Sequence, residues 1–251
     1  MRDDSVAGEK SISRKLVIAI DGPAGSGKST LAALLARKYS YTNIETGAMY
    51  RALAFKAIKS GVSLDDQKKL AQLADKSRIE LVPNPDGNRV LLDGEDSTEC
   101  LRSQEVTDAA SKVSVHPAVR EWMVAAQRKM GAGGGIVMEG RDIGTKVFPD
   151  AEVKIFLDAA PEIRGTRRFQ QSPAAATYEA SVVAELQARD HRDRTRANSP
   201  LEPAADAVLI DSTYLTLDQV LARAVEVIDA RLSMSGQRSE MQAMMPTPRG
   251  K

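Results

Sequence analysis

The chain has 251 residues, 42% of them hydrophobic, and 35 basic residues stand against 34 acidic ones. A formal net charge of +1 excludes a global attraction to nucleic acid or acidic lipid, and the single cysteine, Cys100, excludes an intramolecular disulfide and a Cys-rich zinc site. The start of the chain lacks the apolar core of a signal peptide, and no stretch approaches the length of a membrane span. We therefore expect one α/β domain in the cytoplasm, with no membrane or nucleic-acid partner.

A phosphate-binding loop is predicted between the apolar run Leu16–Ile20, which indicates a buried parallel strand, and a helical pattern that includes Leu31 and Leu35. The residues between them fit Gly-x-x-x-x-Gly-Lys-Ser, whose backbone N–H groups cradle the phosphates of a nucleoside triphosphate. A Gly-rich surface turn is the alternative, which the strand-loop-helix order disfavours. The predicted triphosphate-binding residues are Gly22, Pro23, Ala24, Gly25, Ser26, Gly27, Lys28, Ser29 and Thr30. Lys28 would reach the β and γ phosphates, and the Ser29 hydroxyl would bind Mg²⁺.

The second predicted strand, Thr42–Glu45, runs into a helical pattern for which Thr46 is a natural N-cap. Arg51 lies about one and a half turns further on, where its bidentate fork could face a second phosphate. A surface arginine at the end of a capped helix is the alternative, which this segment alone favours slightly.

The segment from about Arg78 to Glu95 interrupts the alternation of strands and helices. Two apolar runs, Arg78–Val82 and Arg89–Asp93, flank a turn that contains Asp86-Gly87. This pattern predicts a small antiparallel β element inserted into the α/β core.

The third predicted strand, Ile136–Met138, is followed by two glycines around Arg141 and Asp142. Glycines allow close backbone approach, and the adjacent opposite charges fall at the carboxyl end of a strand. A solvated turn held by a salt bridge is the alternative, but the position favours substrate binding.

A mixed-charge helical pattern places Arg189, Asp193 and Arg196 on one face. That face offers cations to transferring phosphates and one carboxylate to a sugar hydroxyl or to an arginine. A solvated, salt-bridged helix is the alternative reading, whereas the interleaved acidic residues and few aromatics disfavour a nucleic-acid patch. The helical pattern of the wider, arginine-bearing segment, about 161–196, is interrupted near Ser172–Ala176. We interpret this segment as a mobile lid that closes over the bound nucleotides and excludes water.

Five strand candidates alternate with helical patterns, which predicts an α/β fold with a five-stranded parallel sheet and helices on both faces. Ligands of such sheets collect beyond the carboxyl ends of the strands, where the phosphate loop, Thr46, Arg141 and Asp142 fall. The ends of the chain, 1–14 and about 233–251, have no periodic pattern, and we expect disorder there. The strand candidates are Leu16–Ile20, Thr42–Glu45, Ile136–Met138, Val153–Leu157 and Ala207–Ile210.

Together, these blocks resemble the bacterial cytidylate kinases, a family of phosphate-loop nucleoside monophosphate kinases. The resemblance runs from Lys15 to about Leu232, and its carriers are Ile20–Ser29, Thr46–Arg51, Gly140–Thr145, Val147–Ala151, Lys154–Ala159 and Arg189–Arg196. It implies a P-loop nucleoside-kinase fold over residues 15–232, with an acceptor-binding insert at about 60–115 and a helical lid at about 161–196. It also implies direct in-line transfer from ATP, with Mg²⁺, to CMP and dCMP in pyrimidine nucleotide metabolism. We expect a monomer, because nothing in the sequence marks an interface.

The resemblance also implies roles for particular residues. Those expected at the acceptor are Thr46, Arg51, Ser111, Arg120, Arg141, Asp142, Arg189, Asp193 and Arg196. Ser111, Arg120 and Asp142 would lie nearest the cytosine, Arg51 and Arg141 near its phosphate, Arg189 and Asp193 near the ribose, and Arg196 near the acceptor or transferring phosphate. Catalytic roles fall to Lys28, Arg141, Arg189 and Arg196, and the metal ligand is Ser29. Many relatives carry serine where Thr46 stands, so the hydroxyl is kept.

The hydrogen-bonding pattern of cytosine fits these residues. Asp142 can accept from the amino group, and Arg120 or Ser111 can donate to the ring acceptors, whereas uracil would bring a carbonyl to the carboxylate. An unmatched buried polar group costs about 1–3 kcal/mol, so UMP is predicted to be a poorer acceptor by roughly tenfold or more. Two alternatives stay open: a kinase for another small acceptor, such as a different nucleoside monophosphate or shikimate, and a phosphate-loop module whose nucleotide state controls a partner or an RNA.

Overall fold

The computed structural model describes residues 15–84, 87–171 and 179–244. Within those ranges the strands are β1 (Val17–Asp21), β2 (Thr42–Glu45), β3 (Ile79–Asn84), β4 (Gly87–Leu92), β5 (Glu95–Asp96), β6 (Ile136–Gly140), β7 (Val153–Asp158) and β8 (Val208–Asp211). The helices are α1 (Lys28–Tyr39), α2 (Thr46–Lys59), α3 (Gln67–Asp75), α4 (Gln104–Val113), α5 (Pro117–Gly131), α6 (Pro161–Gln171), α7 (Glu179–Thr195) and α8 (Leu217–Met244). A 3₁₀ turn at Cys100–Arg102 and a π-helical turn at Ile143–Val147 complete the elements.

A five-stranded parallel sheet in the order β2-β6-β1-β7-β8 organises the fold. Every residue of β1 and β6 is buried, as expected for central strands that helices cover on both faces. The five predicted strands and the α/β fold class are thereby confirmed. The pairing continues past the predicted carboxyl ends to Asp21, Gly140 and Asp158, because a polar residue such as Glu139 ends an apolar run without ending the backbone ladder.

The smaller sheet is antiparallel and consists of β3, β4 and β5. β3 and β4 pair along their whole length, which confirms the predicted hairpin, although its turn residues 85–86 lie outside the described residues. The sequence analysis missed β5, because two acidic residues carry no strand pattern. Asn88 joins the two sheets, since its side chain accepts from the Glu45 N–H at 3.0 Å and donates to the Asn43 carbonyl at 2.9 Å.

Buried apolar side chains form clusters on both faces of the main sheet and within the insert. α1 and α8 cover one face, with residues such as Leu31 and Ile228 fully buried. The other face contains Met138 and Ile143. A separate cluster around Leu53 joins α2, α3, α4 and α5 to the small sheet. Burial of one such side chain stabilises the fold by about 1.5–3 kcal/mol, so this cluster holds the small sheet and the helices around it together as a second core.

The prediction that Thr46 caps α2 is wrong. The N-cap is Glu45, α2 begins at Thr46, and the Thr46 hydroxyl donates instead to the Glu139 carbonyl at 2.7 Å. The hydroxyl therefore ties the start of α2 to the neighbouring strand β6. Residues 143–147, for which the sequence predicts no helix or strand, wind into the π-helical turn.

The charged segment predicted as a lid forms the helices α6 and α7, and the interruption predicted at 172–176 lies outside the described residues. α8 continues to Met244, whereas the sequence predicts that disorder begins near Ser233. The predicted N-terminal tail, 1–14, and residues 245–251 lie outside the described residues. Among the helices that the structure describes, none is long and apolar enough to cross a membrane.

Candidate active site

The phosphate-binding loop lies between β1 and α1, where the sequence predicts it. Gly22 has φ +148°, and a Cβ added there would come within 2.0 Å of the Leu157 carbonyl oxygen, so glycine lets the loop lie against β7. The loop leads into α1, which begins at Lys28, and a helix N-terminus attracts anions. Ser29 and Thr30 are exposed in the first turn of this helix. The predicted triphosphate-binding residues thus form one continuous loop and helix start at the carboxyl end of β1.

Lys28 is buried and folds back over its own loop. Its ammonium donates to the Pro23 carbonyl at 2.5 Å and to the Ser26 hydroxyl at 3.3 Å. Burial, followed by the nearby charges of Arg141 and Arg189, lowers the pKa of Lys28 to about 7, which the carboxylate of Glu139 only partly opposes. A cation directly after β6 and another from α7 therefore lie close enough to the phosphate loop to disfavour the charge on its lysine.

Glu139 is a buried carboxyl group at the carboxyl end of β6 that the sequence analysis did not select as a site residue. Burial and the charge of Glu45 raise its pKa to about 7, while a hydrogen bond from the Ser29 hydroxyl lowers it. Its Oε1 atom finds no hydrogen-bond partner among the described residues. A carboxylate next to the phosphate-loop serine, with an unused oxygen, is suited to a hard cation or to an ordered water.

Asp21 is the second buried carboxyl group that was missed. Its two oxygens accept from the backbone N–H groups of Ile143 at 2.8 Å and Gly144 at 2.7 Å, and burial raises its pKa to about 6. These bonds fasten the π-helical turn to the end of β1. An acidic residue that directly follows an apolar strand was the available signal for both Asp21 and Glu139. In the described part of the chain, no three His, Cys, Asp or Glu side chains form a metal-binding cluster.

An ion pair joins α7 to the end of β6. The Arg141 guanidinium donates through Nε to Asp193 at 3.0 Å, and Arg196 lies 3.5 Å from the other oxygen of the same carboxylate. Although burial alone would raise the pKa of Asp193, the charges of Arg141, Arg196 and Arg189 hold it below its usual range. Burial and the neighbouring Arg141 lower the pKa of Arg189 to about 10. The structure thus brings together the lid residues and the β6 residues that the sequence analysis selected separately.

Arg120 and Asp142 form a buried ion pair beside this cluster. Their side chains are only 4% and 8% exposed, and the Arg120 Nη2 atom donates to the Asp142 carboxylate. A second donor of Arg120 reaches the Ser114 carbonyl at 3.3 Å, and its guanidinium lies 5.8 Å from the centre of the Tyr50 ring. Arg196 of the lid lies 4.0 Å from the other oxygen of Asp142. The Asp142 carboxylate thus lies between two cations. A ligand that presents hydrogen-bond donors can take the place of one of these arginines as its partner.

Three more of the predicted acceptor residues lie on α4 or in α2. The Ser111 hydroxyl on α4 accepts from the Arg192 Nε of α7 at 3.2 Å. Thr46 lies against the backbone of β6, since its hydroxyl oxygen would be 2.8 Å from a Cβ added at Gly140. Arg51, one-quarter exposed, pairs with Glu45 at 2.6 Å. The structure therefore places Ser111 against α7, and it places Thr46 and Arg51 in α2 beside the carboxyl ends of β2 and β6.

Two arginines of α6 hold the lid to the core, and one of them contacts the phosphate loop directly. Arg164 is buried, donates to the Ala24 carbonyl at 3.0 Å, and pairs with Asp190 of α7 at 2.5 Å. Arg167 donates to the hydroxyl and the carbonyl of Ser212 at 3.0 and 2.7 Å. Both arginines thus hold the lid to the core, whereas Arg189, on the next helix, faces the cationic cluster.

The electrostatics define what this site can bind. After burial, which is the larger cause, the charge of Arg141 lowers the pKa of both Lys28 and Arg189, so these cations repel one another beside the loop. The carboxylates of Asp193 and Glu139 offset part of this repulsion, and anionic oxygens placed between the cations would offset more of it. The arrangement is therefore suited to binding phosphates.

Comparisons with known proteins agree with that chemistry. A family model described as cytidylate kinase matches residues 18–230, which include the phosphate loop, the insert and the lid. A cytidylate kinase of Geobacillus thermodenitrificans is 48% identical over 221 residues, covering 87% of this chain and 99% of that protein. A cytidylate kinase of Pelotomaculum thermopropionicum is 52% identical over 219 residues, covering 86% and 95% respectively. One of Pasteurella multocida is 43% identical over 226 residues, covering 89% and 99%.

Proposed function

The chain belongs to the cytidylate kinase family, and we propose that it transfers the γ-phosphoryl group of ATP to CMP and dCMP, giving CDP or dCDP and ADP. One observation carries the proposal: Lys28 of the phosphate loop lies near Arg141, which donates to Asp193 of α7 at 3.0 Å, so cations from the loop, from the end of β6 and from α7 converge. A phosphoryl donor and a monophosphate acceptor together supply a row of anions that matches these cations.

The donor site is the phosphate loop. The start of α1 would hold the β and γ phosphates, with Lys28 moving from the Pro23 carbonyl onto them. Mg²⁺ fits the residues present, because the Ser29 hydroxyl and the unpartnered Glu139 oxygen are hard ligands beside that position. Ser29 would hold the ion directly, and Glu139 would hold it or one of its waters. When bound, Mg²⁺ would supply positive charge to neutralise the triphosphate.

The acceptor site lies between α7 and the insert. Asp142 would accept from the cytosine amino group, while Arg120 and Ser111 would donate to the ring acceptors. The burial of Arg120 and Asp142 supports this assignment, because a buried, directional pair discriminates between bases more strongly than an exposed one. Arg51 and Arg141 would bind the acceptor phosphate, and Asp193 and Arg189 would lie near the ribose. Arg196 would bind the acceptor or the transferring phosphate, and Thr46 would hold the acceptor through its hydroxyl.

Transfer needs alignment and charge neutralisation rather than a general base. An oxygen of the acceptor phosphate, already anionic at neutral pH, forms a bond to the γ-phosphorus while the bond from that phosphorus to the β–γ bridging oxygen breaks, and ADP carries away the electron pair. Lys28, Arg141, Arg189 and Arg196 would stabilise the charge on the transferring oxygens. The lid helices would exclude water, and the contacts of Arg164 and Asp193 with the core support this role.

The test is ADP release from Mg-ATP with CMP, dCMP, UMP, AMP, GMP or shikimate, each compared with a control without acceptor. Rapid release with CMP and dCMP, with CDP and dCDP identified as products, is the expected result. A preference for another acceptor in the panel would replace the proposed substrate. Equal, slow release in every tube would instead indicate a nucleotide-gated binding module. The monomeric state and the cytoplasmic location stay predictions from the sequence.

A further inference from the structure

Arg192 of α7 was not among the predicted site residues, yet its Nε atom donates to the Ser111 hydroxyl at 3.2 Å. We infer that Arg192 is a positioning residue, which directs the Ser111 hydroxyl toward the acceptor base and so strengthens the preference for cytosine over uracil. The inference rests on the proposed function, because it concerns which base that same pocket accepts.

The chemistry of the pair sets the direction of the hydroxyl. A serine hydroxyl can donate or accept, whereas a guanidinium can only donate. The contact with Arg192 therefore uses a lone pair of the Ser111 oxygen, and the hydroxyl hydrogen stays available to donate to another group. A nearby cation also polarises the O–H bond, which makes the hydroxyl a better donor and a poorer acceptor. Cytosine presents acceptors at N3 and O2, whereas uracil presents an N3–H donor that such a hydroxyl matches poorly.

Ser111 is linked to the buried ion pair that would contact the base. The Ser111 carbonyl accepts from the Ser114 hydroxyl at 2.9 Å, and the Ser114 carbonyl accepts from Arg120 at 3.3 Å. Arg120 in turn pairs with Asp142. A hydroxyl that is buried next to this chain of contacts can act on the same base as Asp142.

A second contact between the same helices provides a control, because it helps to hold α7 against α4 without touching the Ser111 hydroxyl. Gln104 of α4 donates to Glu185 of α7 at 2.5 Å. Gln104 precedes Ser111 by seven residues, and Glu185 precedes Arg192 by seven, so the two contacts stand about two turns apart, or about 10.5 Å, along both helices. Either contact helps to hold α7 against α4, but only the one with Arg192 touches a hydroxyl of the proposed pocket.

The experiment compares Arg192→Met, Arg192→Lys and the control Glu185→Gln in the full chain. The readout is kcat/KM for CMP divided by kcat/KM for UMP, supported by the dissociation constants of both nucleotides. Because a typical hydrogen bond contributes modestly, Arg192→Met is expected to lower this ratio about threefold to tenfold, mainly through better use of UMP. Arg192→Lys keeps a donating cation and should recover part of the ratio. Glu185→Gln should leave the ratio unchanged.

A double variant decides whether the effect passes through the hydroxyl. In a Ser111→Ala background, Arg192→Met should change the CMP-to-UMP ratio no further. An unchanged ratio in Arg192→Met, an equal fall in Glu185→Gln, or a full additional fall in the Ser111→Ala background would each overturn the inference. If the unmodified chain phosphorylates neither CMP nor dCMP, the proposed function fails and the inference falls with it. If the unmodified chain phosphorylates CMP or dCMP but Arg192→Met leaves the CMP-to-UMP ratio unchanged, the inference alone fails.

Discussion

The replacement Asp142→Asn tests the buried ion pair at the base of the acceptor pocket. It removes one negative charge at nearly constant volume, from a side chain that is 8% exposed. Arg120, itself 4% exposed, would lose its paired carboxylate, and Arg196 would lose a carboxylate oxygen at 4.0 Å. Two guanidinium groups would then share a buried space with less opposing charge.

The expected cost follows from burial. Breaking a buried ion pair by removing one partner costs about 3–5 kcal/mol, because the other charge is left without water or a counterion. Arg196 keeps Asp193 at 3.5 Å, so we expect the lower end of this range, about 3 kcal/mol. For a domain of this size, about 3 kcal/mol corresponds to a fall in Tm of about 6–12 °C.

The assay is urea unfolding and thermal unfolding of Asp142→Asn beside the original chain, with Glu80→Gln as the matched control. Glu80 pairs with Arg78 at 2.8 Å, but both side chains are more than one-third exposed, so removing its charge should change stability by less than about 1 kcal/mol. ATP affinity should survive in Asp142→Asn, whereas turnover of CMP should fall. The double replacement Arg120→Met with Asp142→Leu should regain most of the lost stability. A loss below about 1 kcal/mol in Asp142→Asn would refute the reasoning that this pair is desolvated and mutually dependent.

Three further predictions concern the phosphate loop and the start of α2. Gly22→Ala places a Cβ 2.0 Å from the Leu157 carbonyl oxygen, so it should destabilise the fold by about 3 kcal/mol or more and abolish ATP binding. In the control Gly133→Ala the new Cβ meets nothing within 4 Å, so urea unfolding and ATP titration should show neither effect. Because the pKa of Lys28 lies near 7 and phosphates favour its charged form, ATP binding at pH 8 should take up close to one proton. The binding enthalpy measured by calorimetry should then depend on the ionisation enthalpy of the buffer, and equal binding enthalpies in all buffers would contradict this prediction. Thr46→Val should lower the free energy of unfolding by about 1 kcal/mol and weaken CMP binding, whereas Thr46→Ser should keep both near their original values because its hydroxyl can still donate to the Glu139 carbonyl. Equal stability and equal CMP affinity of the two variants would argue against a role for this hydrogen bond.

Much of the framework could be predicted because its signals are local. The apolar run before Asp21 and the glycine pattern after it predict a strand and a phosphate loop within a few residues of each other. Parallel strands end at a common edge, so Arg141 and Asp142 could be expected near that loop without knowledge of the strand order. The prediction of Thr46 as an N-cap failed because a hydroxyl near a helix start has several partners within reach, and the carbonyl of β6 is one that the local sequence does not reveal.

Periodicity and turn chemistry act over a few residues, so they are enough to predict the α/β class, the five parallel strands and the set of polar residues at their ends. How those residues pair depends on contacts between distant parts of the folded chain. Arg120 meets Asp142 across 22 positions, Arg141 meets Asp193 across 52, and Arg192 meets Ser111 across 81. The sequence offers many such oppositely charged or hydrogen-bonding partners, and the packing of the insert and the lid on the main sheet determines which of them come into contact. The unpartnered oxygen of Glu139 is likewise a property of that packing, because burial, rather than residue type, leaves it without a partner among the described residues.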